Sequence, residues 1–237
     1  MAAINSNIFG EWFFEKEKNQ ITNTTTNQTF ICENLNKLMP KDIEKDYYGF
    51  CDSIKAIALN VASLGDAPNA RSIAKIILCF NSKIPCWADE CREAILKKTK
   101  DIFLRNIAME LLKRNDVNFS DIHETLNEIE YKIIKNSAYA LIACQLNQIN
   151  LELAKKYGDE IKNDEYKVGF NLSRLIEISR NQLPQEQFEK KDFPPEFSNS
   201  PNYTDEVQQL IAAQKFDEAH KKVDEYFLDR FESDEIL

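Results

Sequence analysis

Few side chains that could act as nucleophiles, acids or bases occur in this chain at the spacings that catalysis requires. The chain has two histidines, His123 and His220, and six cysteines. Cys86 precedes a predicted helix start, where the helix dipole would favour a thiolate, but no histidine lies near it in the sequence to act as its base. No GxxxxGK[ST] loop that could hold a phosphate occurs. The sequence therefore nominates no catalytic residue and predicts that the protein is not an enzyme.

The spacing of the cysteines also argues against a zinc site. Cys79, Cys86 and Cys91 are seven and five positions apart, whereas zinc ligands typically come in closely spaced pairs such as CxxC. We therefore expect no metal and no cofactor. Most of the cysteines lie in apolar stretches, where a thiol packs as a small hydrophobe, so we expect reduced thiols in a cytoplasmic protein. A set of disulfides is the alternative, because an even number of cysteines permits it.

Composition and proline placement predict an all-α protein. Only 5 of the 237 residues are glycine, and 43% are hydrophobic. No proline occurs between Pro85 and Pro184, a gap that suits helices and is hard to combine with many β-turns. The sequence contains no apolar run of about 18 residues, so it predicts no membrane-spanning helix. Apolar residues at helical spacing predict helices over 46–64, 68–81, 87–114, 120–132, 134–148, 150–162 and 165–181, and a final helical pair over 204–232.

Changes in composition divide the chain into four predicted segments. Residues 1–41 form an aromatic and polar N-terminal arm, for which a short strand and an irregular loop are both open. Residues 42–183 form a helical-hairpin domain. Residues 184–203 hold four of the seven prolines and form a linker. Residues 204–237 form an acidic helical hairpin, since 14 acidic and 6 basic residues lie beyond position 184.

The predicted helix near 90–114 carries the candidate binding residues. Its apolar stripe has a basic opposite side, formed by Lys98, Arg105 and Lys113. We predict that these three residues bind an acidic partner, and a solvated basic face is the alternative. The formal net charge of −9 argues against general nucleic-acid binding. The stripe consists of Leu96, Phe103, Leu104, Ile107, Ala108 and Leu111.

Small residues recur at similar spacing in three parts of the chain. Two antiparallel helices can approach closely where small side chains face each other, and hairpins that cannot bury their faces alone stack on one another. Besides the three instances that follow, a looser version of the pattern runs from Ile107 through a turn at Asn115 to Ile129. The first instance has Ile57, Ala58, Ala62, Gly65, Ala70, Ala74 and Ile77; the second, displaced by 84 to 85 residues, has Ile142, Ala143, Leu146, Ile149, Asn150, Ala154, Gly158 and Ile161; and the third, displaced by 149, has Ile211, Gln214, Ala219, Val223 and Tyr226.

This pattern resembles the tetratricopeptide-like α-hairpin repeat superfamily. The similarity is carried by Leu210–Tyr226, LIAAQKFDEAHKKVDEY, where a turn is followed by an aromatic residue, two acids and an alanine. Ile57–Ile77, IALNVASLGDAPNARSIAKII, is similar in the spacing of its small residues. The resemblance implies antiparallel helix hairpins stacked as a solenoid. A helical bundle with the same alanine spacing is the alternative.

These observations favour a protein that binds another macromolecule. We predict a non-enzymatic protein–protein interaction or scaffold module, whose partner is another protein or peptide of acidic character. The first alternative is a regulatory or inhibitory protein whose acidic C-terminal segment occupies a basic groove of its partner. The second is a small helical enzyme with thiol or carboxylate chemistry. Whether the chain forms a homo-oligomer stays open.

Overall fold

The computed structural model describes residues 47–80, 89–183 and 203–235, and these ranges form nine α-helices and no strand. The predicted all-α class is therefore confirmed for this part of the chain. The predicted N-terminal arm and nearly all of the proline-rich linker lie outside the described residues. No helix in the described ranges is both long enough and apolar enough to cross a membrane. The helices are α1 (Tyr47–Ser63), α2 (Ala67–Lys75), α3 (Asp89–Leu112), α4 (Phe119–Asn127), α5 (Lys132–Asn147), α6 (Leu151–Asp159), α7 (Asp164–Arg180), α8 (Tyr203–Ala212) and α9 (Phe216–Glu235), with a 3₁₀ helix over Ile76–Phe80.

The chain divides into two compact units between Tyr131 and Lys132. In the first unit the hairpins α1–α2 and α3–α4 pack together, because α3 contacts α1 and α2, and α2 contacts α4. In the second unit α7 packs beside the α5–α6 hairpin, and α9 of the α8–α9 hairpin packs on α7. The four segments proposed from the sequence stay a prediction. Among the described residues, however, the C-terminal hairpin is packed on α7.

Three alanines show that the hairpins α1–α2, α5–α6 and α8–α9 are built alike. Ala70, Ala154 and Ala219 are all fully buried. Each lies in the first turn of the second helix of its hairpin and donates its backbone N–H to the carbonyl four residues earlier, at 3.0, 2.9 and 3.0 Å. Because the three alanines are fully buried, a larger side chain at any of them would have to displace the atoms packed against it. The spacing of small residues in the sequence thus marks equivalent positions in three hairpins.

The hairpin turns explain why the displacement between the first and second instances of the pattern changes from 85 to 84 residues. After α1, the N–H of Asp66 donates to Val61 O at 3.2 Å, and Gly65 has a φ of +89°. The α8–α9 turn repeats this bond pattern 149 residues later, with Gln214 at a φ of +58°. Such a turn requires one left-handed residue, a conformation that glycine adopts most easily. The α5–α6 turn is one residue shorter, because Asn150 N–H donates to Leu146 O at 2.7 Å, so the displacement falls from 85 to 84 beyond it.

Side chains from neighbouring helices decide some helix ends that the periodicity misplaces. The sequence predicts a helix over 150–162, but α6 ends at Asp159. Asn136 of α5 accepts the backbone N–H of Lys162 at 2.5 Å and of Asn163 at 3.0 Å through its Oδ1. Asn163 in turn caps α7, with its Oδ1 accepting from Tyr166 N at 3.0 Å. These contacts turn the chain into α7 and stop α6 short of its predicted end.

Candidate functional site

The three predicted binding residues lie on α3 or just after it, and they differ in exposure. Arg105 is buried, with 9% of its surface exposed, and Lys98 is half-buried. Lys113 follows the last turn of α3 and is exposed, with its Nζ 2.8 Å from Glu110 Oε2. Arg105 lies one turn beyond the fully buried Asp101, at the flank of the apolar stripe, so the fold covers it. Of the three side chains only that of Lys113 is exposed, and the role of all three in binding stays a prediction.

A buried ion cluster on the same helix was not foreseen from the sequence. Lys100 is 4% exposed, and its Nζ lies 3.2 Å from Asp101 Oδ1 and 2.5 Å from Glu130 Oε1. Asp101 Oδ2 accepts the backbone N–H groups of Glu130 and Tyr131 at 2.9 and 2.7 Å. The hydrogen bond and positive charge of Lys100 hold the pKa of Glu130 below its usual range. The cluster ties the segment after α4 to α3 and gives the backbone N–H groups of Glu130 and Tyr131 an acceptor.

A second cluster joins α2 to α4 through one arginine. Arg71 is 8% exposed. Its guanidinium lies 2.9 Å from Glu124 Oε2, 3.3 Å from Glu128 Oε1 and 3.4 Å from Thr125 Oγ1. Arginine suits this position because its fixed fork of donors can satisfy several acceptors at once. The packing of the α1–α2 hairpin on the α3–α4 hairpin therefore has a polar contribution that the sequence pattern did not indicate.

The two histidines occupy different settings. His123 is exposed on α4 in the first unit. His220, on α9 in the second unit, has its Nε2 2.6 Å from Oε1 of Glu177 on α7. Glu177 is 3% exposed. The next turn of α7 adds an ion pair between Arg180 and Asp217 at the start of α9. Polar contacts thus fix α9 against the C-terminal end of α7.

The cysteines correct one expectation. Cys51, Cys91 and Cys144 are free thiols, but Cys79 is disulfide-bonded. The prediction of uniformly reduced cysteines is thus wrong for Cys79, because an apolar sequence context shows burial but not which sulfurs meet in space. Burial raises the pKa of the Cys144 thiol to about 12, so this thiol stays protonated at neutral pH and is a poor nucleophile. No group of three or more possible metal ligands occurs among the described residues.

Exposed apolar side chains lie close to hairpin turns in the first unit. Leu64, in the α1–α2 turn, is 65% exposed, and Phe119, at the start of α4, is 36% exposed. The guanidinium of Arg114 links the α1–α2 turn to the turn before α4, because it donates to Ser63 O and pairs with Asp116 at 2.7 Å. We call Leu64, Arg114 and Phe119 the turn edge. In it, two exposed apolar side chains accompany an arginine that is paired with the exposed Asp116.

Comparison with known proteins adds no relative. The chain matches no protein-family model, no curated protein and no solved structure. The assignment of neighbouring helix pairs therefore rests on the geometry of the hairpins themselves.

Proposed function

We propose that the chain is a non-enzymatic protein-interaction module built from tetratricopeptide-like hairpins. The observation that carries the proposal is the recurrence of one hairpin design, with a fully buried alanine at the equivalent positions Ala70, Ala154 and Ala219. Repeated hairpins of this kind bury one set of helix faces against their neighbours and leave a second set as surface for a partner.

The partner that fits best is a protein segment with acidic residues. Lys98 and Lys113 supply positive charge along α3, and the turn edge adds Arg114 together with two exposed apolar side chains. The exposed pair between Lys113 and Glu110 at 2.8 Å contributes little to stability. A partner carboxylate can therefore replace Glu110 at low cost. Positive charge of this kind would act mainly on the association rate and on partner choice.

The test begins with cross-linking of the full chain in its native cell extract and identification of the partner by mass spectrometry. The dissociation constant for the purified partner is then measured by calorimetry. We expect the double variant Lys98→Glu/Lys113→Glu to bind at least about tenfold more weakly, a loss of about 1.4 kcal/mol.

The matched control makes the same charge change on exposed lysines of α6. Lys155→Glu/Lys156→Glu reverses two charges in the second unit, and we expect binding within about twofold of the wild type, since each 1.4 kcal/mol corresponds to tenfold. Equal weakening by both double variants would indicate a net-charge effect, and no weakening by either would remove the α3 surface as the binding site.

The exposed acids of the C-terminal hairpin favour a second candidate. The side chain of Asp217 is 97% exposed and that of Glu218 is 59% exposed, both in the first turn of α9. An acidic surface of this kind could occupy a basic groove of a partner, as a regulatory protein would. This alternative requires that Asp217→Asn/Glu218→Gln weakens binding to the identified partner while Lys98→Glu/Lys113→Glu does not. The opposite result favours the first proposal.

A further inference from the structure

The helix that packs antiparallel on α7 belongs to a different hairpin. In each hairpin the second helix follows the first after a short turn, whereas the next described helix after α7 begins only at Tyr203. α9 packs on α7 instead. Glu177, late in α7, contacts His220, early in α9, and Glu165, early in α7, contacts Tyr226, later in α9. The two helices therefore run antiparallel, as the two helices of a hairpin do.

Two adjacent aromatic residues of α9 anchor it on α7. Phe227 is 3% exposed, and a Cβ built on Gly169 of α7 would lie 2.5 Å from the Cζ atom of its ring, so the ring fills the space that glycine leaves. The ring of Tyr166 lies 6.4 Å from that of Phe227. Tyr226 is 2% exposed and donates its hydroxyl to Glu165 O at 2.7 Å. We call the Glu165 carbonyl, Tyr166 and Gly169 the aromatic slot.

Charged side chains of opposite sign meet on both sides of the aromatic slot. Arg180 of α7 pairs with Asp217 in the first turn of α9. At the other end, Arg230 Nε lies 3.6 Å from Glu165 Oε2, and its guanidinium lies over the ring of Tyr226 at 4.8 Å. Such exposed pairs add little affinity but favour one direction of the bound helix. A helix that fits α7 thus has an acid near its start, the aromatic pair, and a basic residue one turn later.

A long connection joins this helix to α7. Residues 184–202 separate Leu183 from the first residue of α8, Tyr203. A tethered segment occupies its site with an effective concentration of the order of mM for a short flexible linker, and less for a longer one. A free helix that binds the slot tightly enough can therefore replace α9. A second copy of the chain competes less well, because its own α9 is already docked in the same way.

We propose that the aromatic slot of α7 binds an amphipathic helix of another protein, and that the α8–α9 hairpin is the tethered segment that this helix displaces. The partner helix presents two adjacent aromatic residues, with an acidic residue toward its N-terminus and a basic residue one turn after the pair. Large buried aromatic side chains dominate helix contacts of this kind. The site lies in the second unit and does not depend on the proposed binding surface on α3.

The test uses a fluorescent peptide of residues 203–235 as the probe and the full chain as its receptor, with anisotropy as the measurement. In the wild type the tethered hairpin reduces the apparent affinity by the fraction of open molecules. Phe227→Ala in the full chain weakens the tethered occupant and leaves the slot intact. We therefore expect this variant to bind the peptide at least about tenfold more tightly than the wild type. Adding Gly169→Ala places a Cβ in the slot and should abolish the gain.

Leu228→Ala is the matched control, because Leu228 adjoins Phe227 but is 58% exposed; it should bind the peptide as the wild type does. Tyr226→Phe removes only the hydrogen bond to Glu165 O and should give a smaller gain of about fivefold. Hydrogen exchange of α5 reports whether each variant keeps its fold, and Tyr226→Phe carries the comparison if Phe227→Ala does not.

Equal binding of the peptide by the wild type and Phe227→Ala, or binding to neither, would show that the proposal is wrong. A wild-type dimer that Gly169→Ala abolishes would also overturn it, because a second copy would then be the occupant of the slot.

Discussion

Replacing Gly158 by alanine tests how closely α6 and α7 approach. A Cβ built on Gly158 would lie 2.3 Å from the Cε1 and Cζ atoms of Phe170 on α7. Carbon atoms in ordinary contact are about 3.5–4.0 Å apart, so the ring or the helix must shift by more than about 1 Å. Phe170 is 3% exposed, so the ring has little free space to move into.

Two opposing effects set the expected size of the change. Alanine in a helix interior gains up to about 1 kcal/mol over glycine, whereas forcing an extra carbon into a packed core costs about 1–3 kcal/mol. We expect Gly158→Ala to lower the free energy of unfolding of the second unit by about 1–2 kcal/mol. The measurement is native-state hydrogen exchange of amides in α6 and α7.

A double-mutant cycle separates this clash from other effects. Phe170→Leu removes ring atoms from the contact and leaves a partly filled space, so alone it should also destabilise the unit. Together the two changes should cost about 1 kcal/mol less than their sum, because the leucine gives the new methyl group room. Wild-type stability of Gly158→Ala, or strict additivity in the cycle, would refute the close approach of the two helices.

Three further outcomes follow from the buried polar groups and thiols. Asp101→Ala leaves buried Lys100 without one partner and two backbone N–H groups without their acceptor, so we expect a loss of about 3–5 kcal/mol in urea unfolding; a loss below about 1 kcal/mol would be inconsistent with this role. Because Lys100 lowers the pKa of Glu130, this pair stabilises the fold above the unfolded pKa of glutamate, and that stability is lost as the pH falls through the lower folded pKa. Since the Glu130 side chain is 60% exposed, Lys100→Met should reduce the stability lost on acidification by at most about 1 kcal/mol, and an unchanged acid-side loss would contradict the pairing. With the pKa of Cys144 raised to about 12, iodoacetamide at neutral pH should modify exposed Cys91 before half-buried Cys144, as peptide mass spectrometry would show; equal rates would argue against the raised pKa of Cys144.

The candidate surface on α3 shows where sequence periodicity stops being informative. The 3.6-residue repeat correctly buries Leu96, Ile107 and Leu111, but it also assigns Arg105 to the side opposite the stripe, where the structure has it 9% exposed. A helical wheel describes one helix by itself. How much of a flank is covered depends on the helices packed beside it, and α3 contacts α1, α2 and α4.

Local chemistry in the sequence determined the helical class, most helix positions and the equivalence of the hairpins. Helix formation, left-handed turn residues and the need for small side chains at close contacts act over a few neighbouring positions, so their pattern is readable in the residues themselves. The pattern does not predict that position 158 needs glycine, because the equivalent position of the first hairpin, 84 residues earlier, holds an alanine, Ala74.

Only the tertiary structure decided which distant side chains meet. The ring of Phe170 makes Gly158 necessary, Asn136 ends α6, and Glu177 meets His220 across 43 positions of sequence. Each of these contacts depends on how separate helices pack, and no local spacing encodes that arrangement. Periodicity therefore predicted the elements of this protein, whereas its buried polar contacts and the exposure of its candidate binding residues came from the packing of those elements.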